Sequence, residues 1–186
     1  IQEFFSIDRK KNFFNKNYKN YYKKYVIFIA KDRHYKGFNY LKQIMLLNQD
    51  INFVCITDHE MNLKIKNLKV LRSINENLKN YLIKNSEILI STSTSRSESY
   101  GINLLEGLIY NKPLISFDLR TGVNDIIKNN QNGFLVEKFD IYKYSKVLRK
   151  LYNDKNFNKK FSLFSNKHKN NFKSNYKKLF NYIYQR

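Results

Sequence analysis

The sequence predicts a doubly wound, Rossmann-like α/β domain with a parallel sheet and a helical C-terminal tail. Short runs of β-branched and aromatic residues alternate along 25–136 with segments whose apolar residues recur at helical spacing. Strands and helices that alternate at this length form parallel βαβ units with right-handed crossovers. From residue 141 onward the chain has no Gly or Pro, which favours two or three consecutive helices there.

The first βαβ unit is predicted within residues 25–56. The runs 25–30 and 52–56 have the composition of buried strands, and 36–47 lies between them with a helical pattern. The helix is indicated by apolar residues three or four positions apart, namely Phe38, Leu41, Ile44 and Met45.

The same alternation continues to residue 136. The further predicted strands are 69–71, 87–91, 114–117 and 133–136, and the further helices are 76–84 and 101–110. Leu78, Leu82 and Ile83 share one face of the first of these helices, as packing against a sheet requires. Ligands of such sheets bind at the carboxyl ends of the strands, so we expect the functional site in the loops there.

The domain organisation is predicted to be simple. Residues 1–24 are polar, basic and aromatic without a sustained period, and we expect a linker or entering segment. Residues 25–186 are expected to form one domain with a sizeable core. The chain opens at Ile1 and not at Met, from which we expect an excised domain. No stretch approaches the roughly 18 consecutive apolar residues that a membrane-spanning helix needs.

The formal net charge of +20 has three explanations. A/T-rich coding bias would explain the abundant Lys, Asn, Ile, Tyr and Phe, and also why Ala30 is the only alanine. Attraction to an anionic membrane surface is the second, since each basic residue near one contributes about 1 kcal/mol. Nucleic-acid binding is the third, and we predict no nucleic-acid partner.

The single cysteine, Cys55, excludes an intrachain disulfide and fits a reducing compartment.

The junction 88–116 has the richest chemistry. Glu98 lies in a loop after a predicted strand, Gly101 opens a helix, and Glu106 follows within it. The free N–H groups and dipole of that helix start form a phosphate seat, and flanking carboxylates suit neighbouring sugar hydroxyls. Spacing alone leaves open that Glu98 is a solvated or capping residue and that Glu106 lies on the solvent face of its helix.

This junction resembles the Glu-x7-Glu motif of the retaining GT-B glycosyltransferases called glycosyl transferases group 1. The usual Phe of that motif is Tyr100 here. The matching residues are Ser95, Glu98, Gly101, Glu106, Pro113 and Ile115. The resemblance implies that Glu98 contacts hydroxyls of the donor sugar and Glu106 those of the ribose. It also implies that amides around Gly101 and Ile102 face the sugar-phosphate.

A second block, 28–41, resembles the first strand and loop of the family's donor domain. The resemblance implies that Lys31 and Lys36 contact the nucleotide diphosphate. Lys36 and Gly37 match the family's Lys-Gly pair. Lys31 stands where Arg is common and lacks its bidentate fork, and Ala30 replaces Gly.

A third block, 116–136, resembles the family's Gly-Pro-x-Glu-Ile-Ile segment and the Asn-Gly that follows it. The resemblance implies that Thr121 and Gly122 line the sugar side of the pocket. Asp125, in place of Glu, is expected to cap or support the following helix, and 132–133 to be a turn. Residues 68–73 would border the base, with Arg72 and Ser73 as candidates.

Other signals are weaker. The Asp-x-Asp pair typical of metal-dependent GT-A enzymes does not occur, so we predict no metal and no cofactor. Asp58, His59 and Glu60 are adjacent and do not share a face, which favours a polar turn. His34, between two basic positions of the second block, is a weaker candidate.

By resemblance, the chain is the donor half of a metal-independent enzyme. Lys31, Lys36 and Glu98 would be catalytic, with a nucleotide-sugar donor, a saccharide or lipid-linked acceptor and a missing N-terminal GT-B domain as partners. The isolated chain is expected to bind donor without transferring sugar. A cytoplasmic location, peripheral at the inner face of the plasma membrane, would suit capsule or lipopolysaccharide synthesis. A GT-B nucleotide-sugar epimerase and a non-catalytic nucleotide-sugar-binding or membrane-docking module are the alternatives.

Overall fold

The computed structural model describes residues 23–61, 65–98, 101–154, 156–157 and 161. Of the predicted linker over 1–24, only residues 23 and 24 lie within these ranges. The tail beyond 161 and Tyr100 lie outside them. Those predictions therefore remain predictions.

Six parallel strands form one sheet. The four central strands are short apolar runs whose side chains are largely buried, whereas the two edge strands are only partly buried. Near-continuous apolar strands are expected where helices cover both faces of a parallel sheet. The strands are β1 (Val26–Ile29), β2 (Phe53–Ile56), β3 (Leu68–Leu71), β4 (Ile88–Ile90), β5 (Leu114–Phe117) and β6 (Gly133–Val136).

Five α-helices accompany the strands within the described part of residues 38–153. They are α1 (Phe38–Leu47), α2 (Glu76–Asn85), α3 (Ile102–Ile109), α4 (Gly122–Ile126) and α5 (Ile141–Asn153). A 3-10 turn, His34–Lys36, precedes α1. Helix α1 packs against α5, whereas α3 packs against both α2 and α4.

The strand order β3-β2-β1-β4-β5-β6 places the switch point of the sheet between β1 and β4. The chain runs outward in one direction from β1 to β3, then returns to the centre at β4 and runs outward in the other. A crevice opens at such a point beyond the carboxyl ends of the two central strands. The loops after β1 and β4, which carry the second block and the Glu-x7-Glu segment, therefore meet there.

Tyr144 anchors α5 to the carboxyl end of the sheet. Its side chain is fully buried, and its hydroxyl oxygen lies 2.9 Å from the carbonyl oxygens of both Ser91 and Ile115. Burial raises the pKa of Tyr144 well above its usual value, so the hydroxyl keeps its proton and can donate it to one of these carbonyls. The last described helix is thus fixed beside the switch point.

The predicted fold class is confirmed, and each predicted strand and helix up to residue 136 is present within two residues of its predicted ends. Helix α4 was not among the helices predicted with bounds, although the role expected for Asp125 implies a helix nearby. Thr121 caps it, so Asp125 is not the cap. Asp125 lies in the first turn of α4 with its side chain exposed, where its negative charge supports the helix, as the second half of that prediction had it.

The predicted turn at 132–133 also has a packing role. Asn132 is fully buried, accepts a hydrogen bond from the Lys128 amide at 2.6 Å and donates one to the Ile126 carbonyl at 2.6 Å. Gly133 opens β6, where a Cβ atom would lie 2.1 Å from the Leu114 carbonyl oxygen. The helical tail predicted from residue 141 begins with α5. Of the described residues, none belongs to a helix long and apolar enough to cross a membrane.

Candidate functional site

The loop after β1 is held tightly against the segment after β4. The Thr92 hydroxyl donates to the Lys36 carbonyl at 2.9 Å, and the Thr94 amide donates to the Tyr35 carbonyl at 2.8 Å. Gly37 makes this approach feasible, because a Cβ atom there would lie 1.9 Å from the Thr92 carbonyl oxygen. Its φ of +70° is also a conformation that glycine adopts at little cost. The backbone at Lys36 is therefore fixed at the switch point.

Lys36 and Glu98 meet across this crevice. The Lys36 ammonium contacts the Glu98 carboxylate, and the Ser93 hydroxyl donates to the same carboxylate oxygen at 2.7 Å. Glu98 is only 7% exposed and the Lys36 side chain 14%, so both charges are largely removed from solvent. A buried carboxylate needs such partners, since an unpaired one is costly.

Thr121 ties the loop after β5 to the same place. Its hydroxyl donates to the Glu98 carbonyl at 3.0 Å. Its oxygen also accepts from the start of α4, while the Asn124 side chain accepts from the Thr121 amide at 3.3 Å, forming a capping box. Loops from β1, β4 and β5 thus converge on the backbone and side chain of Glu98.

Helix α3 begins beside Glu98. Gly101 precedes it with a φ of +60°, and Ile102, its first residue, is 41% exposed. The Asn103 side chain donates to the Ile29 carbonyl at 2.6 Å, which fixes the helix start against the end of β1. The first amides of a helix have no partner within it and carry the positive end of its dipole. An anion can therefore bind there.

Glu106 lies inside α3 with a partner from another helix. Glu106 as a whole is 5% exposed, and its carboxylate lies 2.8 Å from the ammonium of Lys79, on α2. Burial raises the pKa of Glu106 above its usual value, although Lys79 opposes that rise. Burial alone would lower the pKa of Lys79, but Glu106 and Glu76 outweigh it and raise that pKa.

The remaining candidates lie in exposed loops at the same edge of the sheet. Lys31 follows β1, and Arg72 and Ser73 follow β3; all three side chains are exposed. Gly122 is half-buried at the start of α4. Among the described residues, no hydrogen bond or ion pair joins Lys31, Arg72 or Ser73 to the Lys36–Glu98 pair.

The predicted polar turn after β2 contacts the loop after β1. The Asp32 amide donates to the Asp58 carboxylate, and the His59 ring nitrogen Nδ1 lies 2.8 Å from the Asp32 carboxylate. The His59 ring stacks on Phe38 with ring centroids 4.0 Å apart. These contacts brace the loop that carries Lys31 and Lys36.

Sequence reasoning missed two polar partners, Ser93 and Lys79. Ser93 belongs to a Ser/Thr-rich run directly before Glu98, and that run was the available signal. Lys79 stands three residues after Glu76, which predicts an ion pair along one helix, and the pair is present at 2.8 Å. Its second partner, Glu106, depends on how two helices pack and has no signal in the sequence.

Comparison with known proteins shows that most of the chain matches the model of one protein family. The model of the family described as "Glycosyl transferases group 1" matches residues 9–168. This match contains both glutamates of the motif and the two lysines of the second block.

Individual relatives are more distant. The chain is 36% identical over 63 residues to a poly(ribitol-phosphate) alpha-N-acetylglucosaminyltransferase of Staphylococcus aureus, covering 33% of the chain and 13% of that protein. It is 29% identical over 122 residues to the D-rhamnosyltransferase WbpZ of Pseudomonas aeruginosa, covering 61% of the chain and 32% of that protein.

The fold is similar to that of S. aureus TarM, crystallised as a mutant with Fondaparinux, alpha-GlcNAc-glycerol and UDP. The TM-score is 0.68 at 18% identity, over 88% of this chain and 36% of TarM. At this identity the likeness shows the fold alone. The match spans about a third or less of each of these three proteins.

Proposed function

The chain belongs to the glycosyl transferases group 1 family, and we propose that it is the donor-binding part of a retaining glycosyltransferase with a GT-B fold. The donor is a nucleoside-diphosphate sugar, and the sugar passes to a saccharide or lipid-linked acceptor during synthesis of a cell-surface glycan. The contact between Lys36 and the buried Glu98 carries this proposal. It supports the proposal because a cation suited to a diphosphate and a carboxylate suited to sugar hydroxyls lie together at the switch point.

The diphosphate is held by positive charge. Lys36 and the first amides of α3 face one crevice, and Lys31 lies on the same loop as Lys36. As the glycosidic bond breaks, negative charge grows on the departing diphosphate. Preorganised cations and amides at that position lower the barrier, and they do so without a resident metal ion.

The two glutamates divide the rest of the donor between them. Glu98 accepts hydrogen bonds from hydroxyls of the transferred sugar, beside Thr121 and Gly122. Glu106, deeper along α3, accepts from the ribose. A carboxylate can accept from two neighbouring hydroxyls at once, which suits both rings. Arg72 and Ser73, which follow β3, border the base.

The relatives support the choice of donor and acceptor classes. The TarM structure contains UDP, so uridine diphosphate is the first nucleotide to test. The Staphylococcus relative is named for transfer of N-acetylglucosamine to poly(ribitol-phosphate), and the Pseudomonas relative for transfer of D-rhamnose. We therefore place the acceptor among the carbohydrates and polyol polymers of the cell surface.

Binding of UDP and GDP to the 186-residue chain, measured by calorimetry, tests the donor site. The informative variant is the double substitution Lys36→Gln with Glu98→Gln, because it removes the cation without stranding a buried carboxylate. We expect it to fold and to lose about tenfold or more in affinity for the nucleotide that binds best, since hydrogen bonds to charged groups contribute about 1.5–3 kcal/mol.

Lys42→Gln is the matched control, because Lys42 is exposed on α1 and the change removes one positive charge outside the crevice. It should alter affinity by less than about twofold, as screening weakens distant charges. A folded wild-type chain that binds neither nucleotide at millimolar concentration would overturn the proposal. So would equal losses in the double variant and the control.

Retention is tested with a catalytically complete protein that carries this chain. The anomeric configuration of the glycoside formed from an α-linked donor is determined by proton NMR. An α-linked product is expected. A β-linked product would show inversion and overturn this part of the proposal.

A further inference from the structure

The Lys79 ammonium lies between two carboxylates that differ greatly in exposure. It is 2.8 Å from Glu106 on α3 and 2.8 Å from Glu76 on its own helix α2. The Glu106 side chain is 7% exposed, whereas that of Glu76 is 56% exposed, and Lys79 itself is 18% exposed. Lys79 therefore joins a buried carboxylate to a solvated one.

Of these two carboxylates, Glu106 is the buried one, and Lys79 is the cation beside it. A buried carboxyl group is driven toward its neutral form, and a neighbouring cation opposes this. The charged groups that face Glu106 from α2 are Lys79, which favours the carboxylate, and Glu76, which disfavours it. On α3 the phenol of Tyr110 lies one turn further, and burial together with the Glu106 charge raises its pKa, so it remains neutral.

We propose that Lys79 is a positioning residue for the nucleoside end of the donor: it keeps Glu106 ionised and fixed, so that the carboxylate accepts hydrogen bonds from the ribose hydroxyls. This inference rests on the proposed function. It adds a residue from α2, outside the three blocks of family resemblance. Lys79 acts through Glu106 and needs no contact with the donor.

The geometry supports action on the ribose and not on the diphosphate. The Lys79 ammonium donates to Glu76 and to Glu106, both at 2.8 Å, and these bonds direct two of its three N–H groups toward carboxylates. The diphosphate seat at the start of α3 lies about one turn from Glu106 along the helix. Loss of Lys79 should therefore weaken a ligand with both ribose hydroxyls more than one that keeps only the 3′ hydroxyl.

The test compares UDP with 2′-deoxy-UDP between pH 5.5 and 8.5, by calorimetry on the 186-residue chain and its Lys79→Met variant. The ratio of the two dissociation constants cancels the titration of the diphosphate, which both ligands share. In the wild type we expect this ratio to change little with pH. In Lys79→Met, the affinity for UDP should fall about tenfold at the acidic end of the range, because Glu106 becomes protonated at that pH. The loss should be smaller at the alkaline end. The affinity for 2′-deoxy-UDP should change much less.

Two further variants complete the design. Glu76→Gln removes only the exposed partner of Lys79 and should leave the ratio within about twofold of wild type, because exposed pairs contribute little. Lys79→Arg restores the positive charge and should recover most of the UDP affinity. If Lys79→Met does not fold, Lys79→Gln replaces it, with the same expected direction.

The outcomes separate this inference from the proposed function. An equal, pH-independent loss for both ligands in Lys79→Met, or no loss, would overturn the role of Lys79 and leave the donor site standing. Such a result would make Lys79 a link between α2 and α3 only. Failure of the folded wild-type chain to bind UDP would overturn the proposed function, and the role of Lys79 with it.

Discussion

Lys36 and Glu98 neutralise each other at the switch point of the sheet, one from the loop after β1 and the other from the loop after β4. Ser93 donates a further hydrogen bond to the Glu98 carboxylate at 2.7 Å. Because this contact joins two chain segments 62 residues apart, it links the stability of the domain to the chemistry of its crevice.

The first prediction concerns that link. Lys36→Met leaves the Glu98 carboxylate buried with a single hydroxyl partner, and we expect it to lower the free energy of unfolding by about 3 kcal/mol. Adding Glu98→Gln should restore much of the loss, because the stranded charge disappears. Urea unfolding of the two single variants and the double variant gives the coupling energy. Strictly additive losses would contradict a direct interaction between the two side chains.

The second prediction concerns the close approach at Gly37. Gly37→Ala should destabilise the chain by more than the about 1–2 kcal/mol that a left-handed conformation costs an L-residue, because its Cβ would also strike the Thr92 carbonyl. Gly122→Ala is the control, since Gly122 is the first residue of α4 and lacks a positive φ. Thermal unfolding should show a much lower Tm for Gly37→Ala and little change for Gly122→Ala. Similar Tm values would mean that the loop relaxes freely.

Much of the fold could be predicted because its signals are local. Buried parallel strands are continuous apolar runs, and the helices that cover them repeat apolar residues every three or four positions. The bounds of helix α4 escaped prediction because five residues, Gly122–Ile126, are too few for a periodic pattern. Its signal is the capping box of Thr121 and Asn124, which spacing alone does not separate from an ordinary polar loop.

The sequence was sufficient to predict which residues belong to the candidate site, but not which of them contact each other. The motifs identified Lys36, Glu98 and Glu106, yet gave no indication that Lys36 contacts Glu98. That contact depends on the order of strands in the sheet, which brings β1 beside β4. The partnership of Glu106 with Lys79 depends on the packing of α2 against α3. Pairings of this kind are tertiary, and one sequence does not encode them in any local pattern.

The third prediction concerns pH. Burial raises the pKa of Glu106 above 4.5, its usual value, so the folded chain holds this proton more tightly than the unfolded chain. The stability that this adds is fully present below pH 4.5 and is lost as pH rises through the folded pKa. Glu106→Gln does not titrate. Its free energy of unfolding relative to wild type should therefore increase as pH rises above 4.5 and level off once the pH exceeds the folded pKa of Glu106.

In the wild type, Lys79 does not contribute to this pH dependence. Its pKa is raised above 10.5, so its own contribution to stability is constant below that value and is lost only as pH rises through the folded pKa. Urea unfolding at several pH values gives the curves, and Glu76→Gln, at an exposed position, is the control. Parallel curves for wild type and Glu106→Gln would contradict a raised pKa at Glu106.

The last prediction separates the two glutamates. Glu98→Gln removes the charge that neutralises Lys36, so the cation becomes more available to a diphosphate. We expect the affinity for UDP to stay constant or rise. The affinity for UDP-N-acetylglucosamine, or for whichever UDP-sugar binds the wild type best, should fall by about tenfold relative to UDP, because hydroxyl contacts to a carboxylate are lost.

The comparison of two ligands on one variant protects this test from effects on folding. A general loosening of the crevice would weaken UDP and UDP-sugar together, whereas loss of a sugar contact changes only their ratio. Glu137→Gln, at an exposed acid in the loop after β6, controls for the change in net charge and should leave the ratio unchanged. Equal losses for both ligands in Glu98→Gln would place Glu98 with the diphosphate or with the fold, and the assignment to the sugar would be abandoned.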